Sequence, residues 1–424
     1  MTHALSNDPG SIDLIDAEAD SVPAPEPHRP KGLARFLLGA SLVLIAFNLR
    51  PVFSSASALL PEIRDVLGLS PTGASLLTTL PVVCLGLFSP LAPRLAQRIG
   101  TERTLLAVVF LLALGTALRG LSSIPLLFLG TALAGGSIAV GNVLLPGLVK
   151  RDFPDKAAMM TGFYTMALCA GAASAAGLTL PVEHALGGSL DGALAIWALP
   201  ALLVGLLWLP QVLATRSQPK RAGFRVEGLW RDRLAWHVTL FMGLQSALAY
   251  CVFGWLVPIL RERGLDGVTA GAIVSVSVMV QAASCLVAPH LAVRGKDQRL
   301  INVTLCGFAV VALLGLLFAP LSTVWFWAVL QGIGQGGLIA VAMTVIVLRT
   351  RDPHMAAHLS GMAQCVGYLL AAIGPLVVGL IRGWTGSFAW SAVLIVLLGL
   401  GAAINGWFAG KALYVNARTV ETSA

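Results

Sequence analysis

The chain has 424 residues, of which 57% are apolar and only 11% are charged. A soluble globular domain usually carries about a quarter charged residues, so this composition excludes an ordinary soluble protein. A chain so poor in charge could not cover the surface of several soluble domains. Most of the sequence is therefore predicted to lie in lipid.

The first 32 residues differ in composition from the rest of the chain. They contain proline and no apolar run, and six acidic side chains lie among them: Asp8, Asp13, Asp16, Glu18, Asp20 and Glu26. Such a segment cannot bury enough apolar surface to fold. It also lacks the basic start and short apolar stretch of a secretory signal peptide. Residues 1–32 are therefore predicted to be a disordered tail.

Twelve apolar runs follow, separated by charged or Pro- and Gly-rich segments. A bilayer core about 30 Å thick requires roughly 20 apolar residues of helix. The runs of that length, interpreted as membrane-spanning helices, cover approximately residues 36–59, 73–93, 104–119, 124–148, 157–181, 192–213, 235–259, 268–291, 300–319, 323–347, 357–381 and 388–411. Their even number predicts that both ends of the chain lie on one side of the membrane.

Lysines and arginines are distributed unevenly between alternate loops. Loops on the side of the N-terminus contain 22 of the 28, whereas the opposite loops contain Arg64, Arg119, Arg261, Arg263 and Arg382. Cytoplasmic loops carry this basic excess in membrane proteins, so both termini are predicted to be cytoplasmic, in a bacterial inner membrane. A net charge of +8 can also indicate nucleic-acid binding, but topology explains the distribution, and no nucleic-acid partner is predicted.

Internal similarity divides the chain into two halves. A polar stretch at 215–233 separates six runs from six, and PRLAQRIGTERTL at 93–105 aligns without a gap on PHLAVRGKDQRLI at 289–301. Such repetition indicates related bundles. The predicted fold is an all-α membrane protein with twelve transmembrane helices in two pseudo-repeated six-helix bundles. Its predicted parts after the tail are a bundle at 33–214, a cytoplasmic linker at 215–233, a bundle at 234–413 and a cytoplasmic tail at 414–424.

Five motifs, spread over both halves, carry a resemblance to a known family. They are Asn48-Leu49-Arg50-Pro51, LLTTLPVVCLGLFSPLAPRLAQRIGTERTL at 76–105, GNVLLPGLVKRDFP at 141–154, GLQSALAY at 243–250 and LSGMAQCVGYLLAAIGPLVVGL at 359–380. With these motifs the chain resembles the major facilitator superfamily and, more narrowly, its cyanate and 2-nitroimidazole transporter family (CynX/NimT-like).

This resemblance implies the major facilitator fold and a secondary active transporter. The expected cargo is a small anionic or polar solute, either a cyanate-like anion or a nitroimidazole-like heterocycle, moved by alternating access of the two halves around a midplane site. The protein is expected to act as a monomer in the lipid bilayer, and both uptake and export are compatible with the resemblance. The alternatives are a multidrug efflux pump, for which an acidic residue in the pocket is expected, and a non-transporting membrane sensor.

The loop between the second and third runs contains the superfamily's signature motif with one departure. The resemblance predicts an Asp at position 97, where this sequence has Gln97, followed by Arg98 and Gly100. The acid that would hold Arg98 and Arg103 in a state-dependent ion pair is therefore missing. Asp152, in the loop after the fourth run, is the predicted substitute in this gating loop.

Arg50 is the most informative residue inside the apolar runs. It lies about 14 residues from the start of the first run, or roughly 21 Å into the membrane at the rise of an α-helix. An intramembrane cation is costly unless it faces a cavity or a partner, and such residues are functional by default. The runs contain no Asp or Glu, so an anion or polar heterocycle is the predicted partner of its guanidinium. The alternative is that Arg50 extends to the interface or pairs with Glu62 or Asp65.

Amides and aromatics in other runs are candidates to complete the site. Buried polar groups in lipid usually line a cavity or bridge helices, and bridging is the alternative for each of them. The wider set includes Asn142, Trp255, Gln281, Gln331 and Gln335. The residues predicted to bind substrate with Arg50, because they lie in family-like motifs on helices close to the cavity, are Asn48, Tyr164, Gln245, Tyr250, Gln364 and Tyr368.

The sequence contains no arrangement typical of catalysis. His354 and His358 have the spacing of two metal ligands on one helical face, but no third ligand lies nearby, so no metal site is predicted. The GIGQGG stretch at 332–337 lies inside an apolar run without a preceding strand, which excludes a nucleotide-binding glycine loop. The chain is therefore predicted not to be an enzyme and to need no cofactor.

Overall fold

The computed structural model of the chain describes residues 32–153, 156–214, 224–351 and 353–421. Within these residues, twelve helical spans are long and apolar enough to cross a membrane, which confirms the predicted number and the all-α membrane fold. The predicted tail at 1–32, apart from Gly32, lies outside the described residues, as does 215–223, the first part of the predicted linker.

The N-terminal half contains the first six spans, and some of them consist of two helices. The first span is interrupted at Leu49 and Arg50, because Pro51 has no N–H to continue the helix and instead begins the next one. The helices are α1 (Leu33–Asn48), α2 (Pro51–Ala58), α3 (Leu60–Leu67), α4 (Pro71–Phe88), α5 (Leu91–Ile99), α6 (Thr101–Leu118), α7 (Ile124–Asp152), α8 (Ala157–Ala185), α9 (Leu190–Ala195) and α10 (Ala198–Ala214).

The C-terminal half contains the other six spans, and its eleventh span is divided at Ala372. Short 3-10 turns at Leu229–Arg231 and Leu321–Thr323 precede two of its helices. The helices are α11 (Arg233–Glu262), α12 (Gly267–Arg294), α13 (Arg299–Phe318), α14 (Val324–Leu348), α15 (Pro353–Ala371), α16 (Ile373–Thr385) and α17 (Ser391–Ala409).

Capping side chains define where several helices begin. Asp232 Oδ1 accepts a hydrogen bond from the backbone N–H of Ala235 at 2.7 Å, and Asp266 Oδ1 accepts one from Thr269 at 2.9 Å. Each satisfies a backbone donor that has no partner within the first turn. Hydrogen bonds from the side chain and backbone of Thr269 hold the pKa of Asp266 below its usual range. The seventh and eighth spans therefore begin at fixed positions.

The two halves pack against each other along two pairs of spans. Helix α8 lies against α12, and α4 lies against α15 and α16. A side chain at Gly271 would overlap the backbone oxygen of Ala176, so this glycine allows α8 and α12 to approach closely, as small residues do between helices in membranes. A third contact, between α2 and α11, joins the halves at the end opposite to the chain termini.

A short β-ribbon joins the predicted linker to the predicted C-terminal tail. Strand β1 (Phe224–Glu227) pairs antiparallel with β2 (Arg418–Glu421), with Phe224 opposite Glu421. Asp232 Oδ2 accepts a hydrogen bond from the backbone N–H of Asn416 at 3.0 Å beside the ribbon. These strands were not predictable from the sequence, because four residues of mixed polarity give too short a pattern to indicate a strand.

Candidate functional site

A cavity of about 60 Å³ lies between the two halves of the molecule. Its size corresponds to roughly four water-sized spheres of about 15 Å³ each. Helices α8, α11, α12, α14 and α15 form its walls together with the break between α1 and α2. The residues that line it are Arg50, Thr165, Leu168, Cys169, Ala172, Ser246, Ala249, Tyr250, Phe253, Gln281, Cys285, Gln335, Ile339 and Tyr368.

The interruption of the first span places Arg50 at the cavity. Leu49 closes the end of α1 through its N–H to Ala46 O at 3.1 Å, and Phe53 N–H donates to Arg50 O at 3.2 Å at the start of α2. Arg50 itself is the N-cap of α2. Because Pro51 makes a helix break at this point favourable, the neighbouring prolyl ring determines where the cationic side chain leaves the backbone.

Aromatic rings surround the Arg50 guanidinium. Arg50 Nη1 donates to the Tyr250 hydroxyl at 3.3 Å, and Arg50 Cζ lies 5.9 Å from the ring centres of both Phe53 and Phe253. The rings of Tyr250 and Tyr368 meet edge to face at 6.1 Å. Arg50 remains partly exposed, and no ion pair between described residues includes it. It therefore combines cation–π stabilisation with donors that are available to a ligand.

Two of the predicted partners, Tyr250 and Tyr368, line the cavity together with Arg50. The alternative interpretation, in which Arg50 pairs with an acid of the following loop, is not seen: Glu62 pairs with Arg261 instead, at 2.8 Å. Asp65 is exposed. Of the predicted partners of Arg50, Tyr250 and Tyr368 are therefore the ones that lie at the cavity.

The other predicted partners bond mainly to neighbouring helix groups and are not among the lining residues. Asn48 Nδ2 donates to Leu44 O at 2.8 Å within α1. Gln364 Nε2 donates to Ser360 Oγ at 3.0 Å within α15. Gln245 bridges helices, as the alternative for these amides allowed, because its Oε1 accepts from Gln335 Nε2 at 3.2 Å. Tyr164 is partly buried and packs against the apolar core, so direct substrate contact by these four stays a prediction.

Several lining residues were outside the favoured set. Gln281 and Gln335 belonged only to the wider group of amides, and Phe253 and Cys169 were not considered. Phe253 follows Tyr250 by three residues in α11, so the two share one helical face, and this spacing is the signal that could have identified it. Cys169 has no comparable signal, because a small apolar residue in a lipid-exposed helix is unremarkable.

The gating-loop residues lie on the side of the chain termini. Gly100 adopts the positive φ of 91° between α5 and α6, and Arg98 and Arg103 are exposed there. Asp152 pairs with its neighbour Arg151 at 2.6 Å, and no ion pair among the described residues joins it to Arg98 or Arg103. Its predicted role as their partner in another state of the transport cycle stays a prediction.

A different ion pair connects these two loops. Arg151 Nη1 lies 2.7 Å from Glu102 Oε1, which ties the end of α7 to the start of α6. Glu102 is only 7% exposed, and its backbone oxygen also accepts a hydrogen bond from Trp208 Nε1 at 3.1 Å. The loop without an acid at position 97 thus has one five residues later. Among the described residues, no cluster of three or more His, Cys, Asp or Glu side chains could hold a metal ion.

Twelve spans in two halves that enclose a cavity with one cation and several aromatic rings define a membrane transport protein. The chain belongs to the Major Facilitator Superfamily, since residues 36–375 match the sequence profile of that family. It is therefore a multi-pass membrane protein and a transporter, not an enzyme. This confirms the family resemblance and the expected fold.

The chain is similar over most of its length to several individual bacterial transporters. The chain is 42% identical to the 2-nitroimidazole transporter of Escherichia coli (strain K12) over 90% of this chain and 97% of that protein. It is 40% identical to the uncharacterized transporter YycB of Bacillus subtilis (strain 168), over 92% and 97% of the two chains. The cyanate transport protein CynX of Escherichia coli (strain K12) is 28% identical over 85% and 94%.

A solved structure supports the fold independently. The bacterial homologue of the human lysosomal transporter Spinster, in an inward-facing and unoccupied conformation, superposes with a TM-score of 0.73. The match covers 91% of this chain and 98% of that one, at 17% sequence identity. At that identity the similarity establishes the shared fold of twelve helices in two halves.

Proposed function

We propose that the protein transports a small anionic or polar solute that binds beside Arg50. The observation that carries this proposal is a guanidinium in an enclosed cavity whose one hydrogen-bond acceptor among the described residues is the Tyr250 hydroxyl. An arginine fork is suited to planar oxygen or nitrogen acceptors. The names of the two relatives that transport 2-nitroimidazole and cyanate agree with a cargo of this class.

The dimensions and charge of the cavity favour this cargo over a cationic drug. A volume of about 60 Å³ is well below the roughly 300–1,000 Å³ of pockets that bind drug-sized ligands, so the cavity favours a small solute. A cationic drug would be repelled by Arg50, and among the described residues no acidic side chain lines the cavity to offset that repulsion. Multidrug efflux is therefore the less favoured alternative.

Alternating access between the two halves is the proposed mechanism. Glu62, in α3, holds Arg261, at the end of α11, through Oε1 at 2.8 Å and Oε2 at 3.0 Å. Of the ion pairs between described residues, this one connects the N-terminal half to the C-terminal half. It lies where α2 packs against α11, so the pair would close the cavity on the side opposite to the chain termini.

We place the protein as a monomer in the inner membrane, with both termini in the cytoplasm. This orientation is supported by the 22 of 28 lysines and arginines on the side of the termini. The Glu62–Arg261 pair then closes the external side of the cavity. Labelling of single cysteines introduced at Asp65 and Arg94 tests the orientation, because an impermeant thiol reagent added outside should reach only the first.

Transport assays in proteoliposomes test the proposed site. Uptake of 2-nitroimidazole, cyanate, nitrate, a small carboxylate and a lipophilic quaternary cation is compared for wild type, Arg50→Met and Arg50→Lys. Transport of the anionic or polar solutes should fall about 10- to 150-fold in Arg50→Met, as loss of a charged hydrogen-bond donor to a bound solute costs about 1.5–3 kcal/mol. Arg50→Lys should retain only part of the wild-type transport, because an ammonium lacks the planar fork of a guanidinium.

Arg119→Met is the matched control for this experiment. Arg119 is also a buried arginine, 2% exposed, but it does not line the cavity. Its substitution should leave transport within about twofold of wild type. Undiminished transport by Arg50→Met would refute the site, and transport of the quaternary cation alone would establish the multidrug alternative.

A charge exchange tests the external closure. Glu62→Arg and Arg261→Glu, made singly, should each reduce transport because like charges would then face each other between the halves. The double variant should restore much of it, since the pair is re-formed with reversed polarity. Asp65→Asn, in the same helix but exposed, serves as the control. A double variant no more active than either single variant would contradict the proposed closure.

A further inference from the structure

Two buried amides in the cavity wall have an atom that lacks a hydrogen-bond partner. Gln281 in α12 is 5% exposed, and Gln335 in α14 is 1% exposed, and both line the cavity with Arg50. Gln281 Nε2 and Gln335 Oε1 have no partner among the described residues. An unpaired buried polar atom costs about 1–3 kcal/mol, so a solute that pairs with it gains binding energy.

The orientation of the Gln335 amide is determined by its neighbours. Gln335 Nε2 donates to the backbone oxygen of Gln245 at 3.1 Å and to its side-chain Oε1 at 3.2 Å. A flipped amide would set the Gln335 oxygen against that backbone oxygen, which can only accept. Gln245 Oε1 is oriented in turn, because Gln245 Nε2 donates to Met242 O at 3.1 Å and to Ser246 Oγ at 2.9 Å. Gln335 therefore presents an acceptor that cannot become a donor.

Gln281 lies beside Gly336, the residue that follows Gln335, where α12 and α14 are in contact. A Cβ atom at Gly336 would lie 2.7 Å from Gln281 Cα, so the glycine that follows Gln335 lets the two backbones touch. Cys285 Sγ donates to Gly336 O at 3.2 Å in the next turn. No hydrogen bond between described residues uses the Gln281 side chain, which leaves its amide available beside Gln335.

The remaining walls supply a cation and aromatic faces. Arg50 lies in the N-terminal half, whereas Gln281 and Gln335 lie in the C-terminal half. Phe253 and Tyr250 come from α11, with their ring centres 6.2 Å apart. A solute in the cavity would thus meet donors from both halves, one fixed acceptor, and rings suited to a planar molecule.

We infer that Gln335 and Gln281 determine solute specificity, with Gln335 Oε1 accepting a hydrogen bond from an N–H or O–H of the solute and Gln281 Nε2 donating to one of its acceptors. This inference rests on the proposed function and names the solute class more narrowly. The preferred solute has both a donor and an anionic or nitro oxygen on a small planar ring. Cyanate and nitrate have acceptors only, so they leave Gln335 Oε1 unpaired.

A site built around a buried hydrogen bond rejects an analogue that lacks the matching group, because the protein atom then stays unpaired. 2-Nitroimidazole and its N-methyl derivative are such a pair, since methylation removes the only ring N–H and retains the nitro group. Equilibrium binding of both to the purified wild-type protein in detergent is measured at mildly acidic pH, where the ring keeps its proton. The N-methyl derivative should bind at least about tenfold more weakly.

Two amide variants assign this discrimination to particular residues. In Gln335→Met, affinity for 2-nitroimidazole should fall at least about tenfold and approach that of the N-methyl derivative, whose affinity should change little. In Gln281→Met, both compounds should lose affinity by a similar factor, because both retain the nitro oxygens. Gln331→Met is the control: Gln331 lies one turn earlier in α14, accepts from Ser277 Oγ and does not line the cavity.

The outcomes separate this inference from the proposed function. Equal wild-type affinity for the two compounds, or a Gln335→Met variant that still discriminates, would overturn the inference, and the wild-type comparison requires no variant to fold. If Arg50→Met abolishes binding while the wild type binds 2-nitroimidazole and its N-methyl derivative with equal affinity, the proposed site stands and only the role of Gln335 is refuted. If Arg50→Met binds 2-nitroimidazole as wild type does, the proposed site itself is refuted.

Discussion

Arg349 and Arg50 are both withdrawn from open solvent, yet their surroundings differ. Arg349, after the end of α14, is 4% exposed. Its guanidinium donates to Ala409 O at 2.9 Å, to Gly410 O at 3.2 Å and to Gln298 Oε1. Arg50 donates to one acceptor among the described residues, the Tyr250 hydroxyl, and faces a cavity.

The two guanidinium groups differ in the hydrogen bonds that they donate, since that of Arg349 donates three to described residues and that of Arg50 donates one. Arg349 uses its donors on carbonyl oxygens where α17 ends, and such oxygens lack partners within the helix. It thereby ties α14 to α17 and to the start of α13. Arg50 keeps donors that a solute can use.

Arg119 is buried like Arg349, but its guanidinium donates only one hydrogen bond to the described residues. It follows the last residue of α6, is 2% exposed, and its one hydrogen bond, from Nη1 to Ser55 Oγ, is 3.4 Å long. Its Nε and Nη2 have no partner among the described residues. Burial lowers the pKa of Arg119 to about 10. It is therefore unsaturated like Arg50 but has no place at the cavity.

The largest expected effect on stability is that of Arg349→Met. The variant leaves buried oxygens of Ala409, Gly410 and Gln298 without their donor, at about 1–3 kcal/mol for each. Thermal melting of the purified protein should therefore drop by several degrees, while transport per folded molecule stays near wild type. Arg351→Met, two residues later and exposed, should melt as wild type does. Equal melting of both variants would show that the Arg349 hydrogen bonds do not stabilise the fold.

Arg119→Met, in contrast to Arg349→Met, should not lower the stability of the protein. Replacing an unpaired buried charge with an apolar side chain of similar length is often neutral or stabilising, by about 1–2 kcal/mol here. The melting temperature should stay the same or rise. A melting temperature several degrees lower would mean that the Arg119 charge has a stabilising partner. Arg119 would then have a structural role like that of Arg349.

Arg50→Met should change the stability of the solute-free protein least, within about 1 kcal/mol. The loss of one long hydrogen bond and two cation–π contacts is offset by removal of a poorly solvated charge. Saturating 2-nitroimidazole should raise the melting temperature of wild type but not that of this variant. A large destabilisation without solute would place Arg50 with Arg349 among the structural arginines.

Much of the architecture was predictable because lipid imposes a simple requirement on length and polarity. The twelve spans followed from the length of the apolar runs, and Arg50 was identifiable as the one cation deep within a run. Tyr250 and Tyr368, which the family resemblance predicted to bind substrate, line the cavity with Arg50, and their contact with a solute stays a prediction. The β-ribbon of Phe224–Glu227 with Arg418–Glu421 was missed, since its strands are short and almost 200 residues apart.

The sequence did not predict which side chains of a helix point toward the cavity and which point toward lipid. A helix in lipid can be apolar on every side, so the usual amphipathic pattern that identifies the inner face is weak. For that reason Gln364 was favoured over Gln335 on the basis of its motif, although of the two only Gln335 lines the cavity. Likewise, Arg349 was one of many basic residues near a helix end, and its hydrogen bonds to Ala409, Gly410 and Gln298 depend on elements that are distant in the chain.

The sequence by itself determined that most of the chain lies in lipid, how many spans it has and which family it belongs to. It also showed that one cation lies deep in the first span. These properties depend on local composition and on motifs. The tertiary structure decided which arginine donates several hydrogen bonds within the protein, which amides retain an unpaired atom and which acid pairs with Arg261. Those properties depend on helix rotation and packing between halves, which bring together side chains from distant parts of the chain.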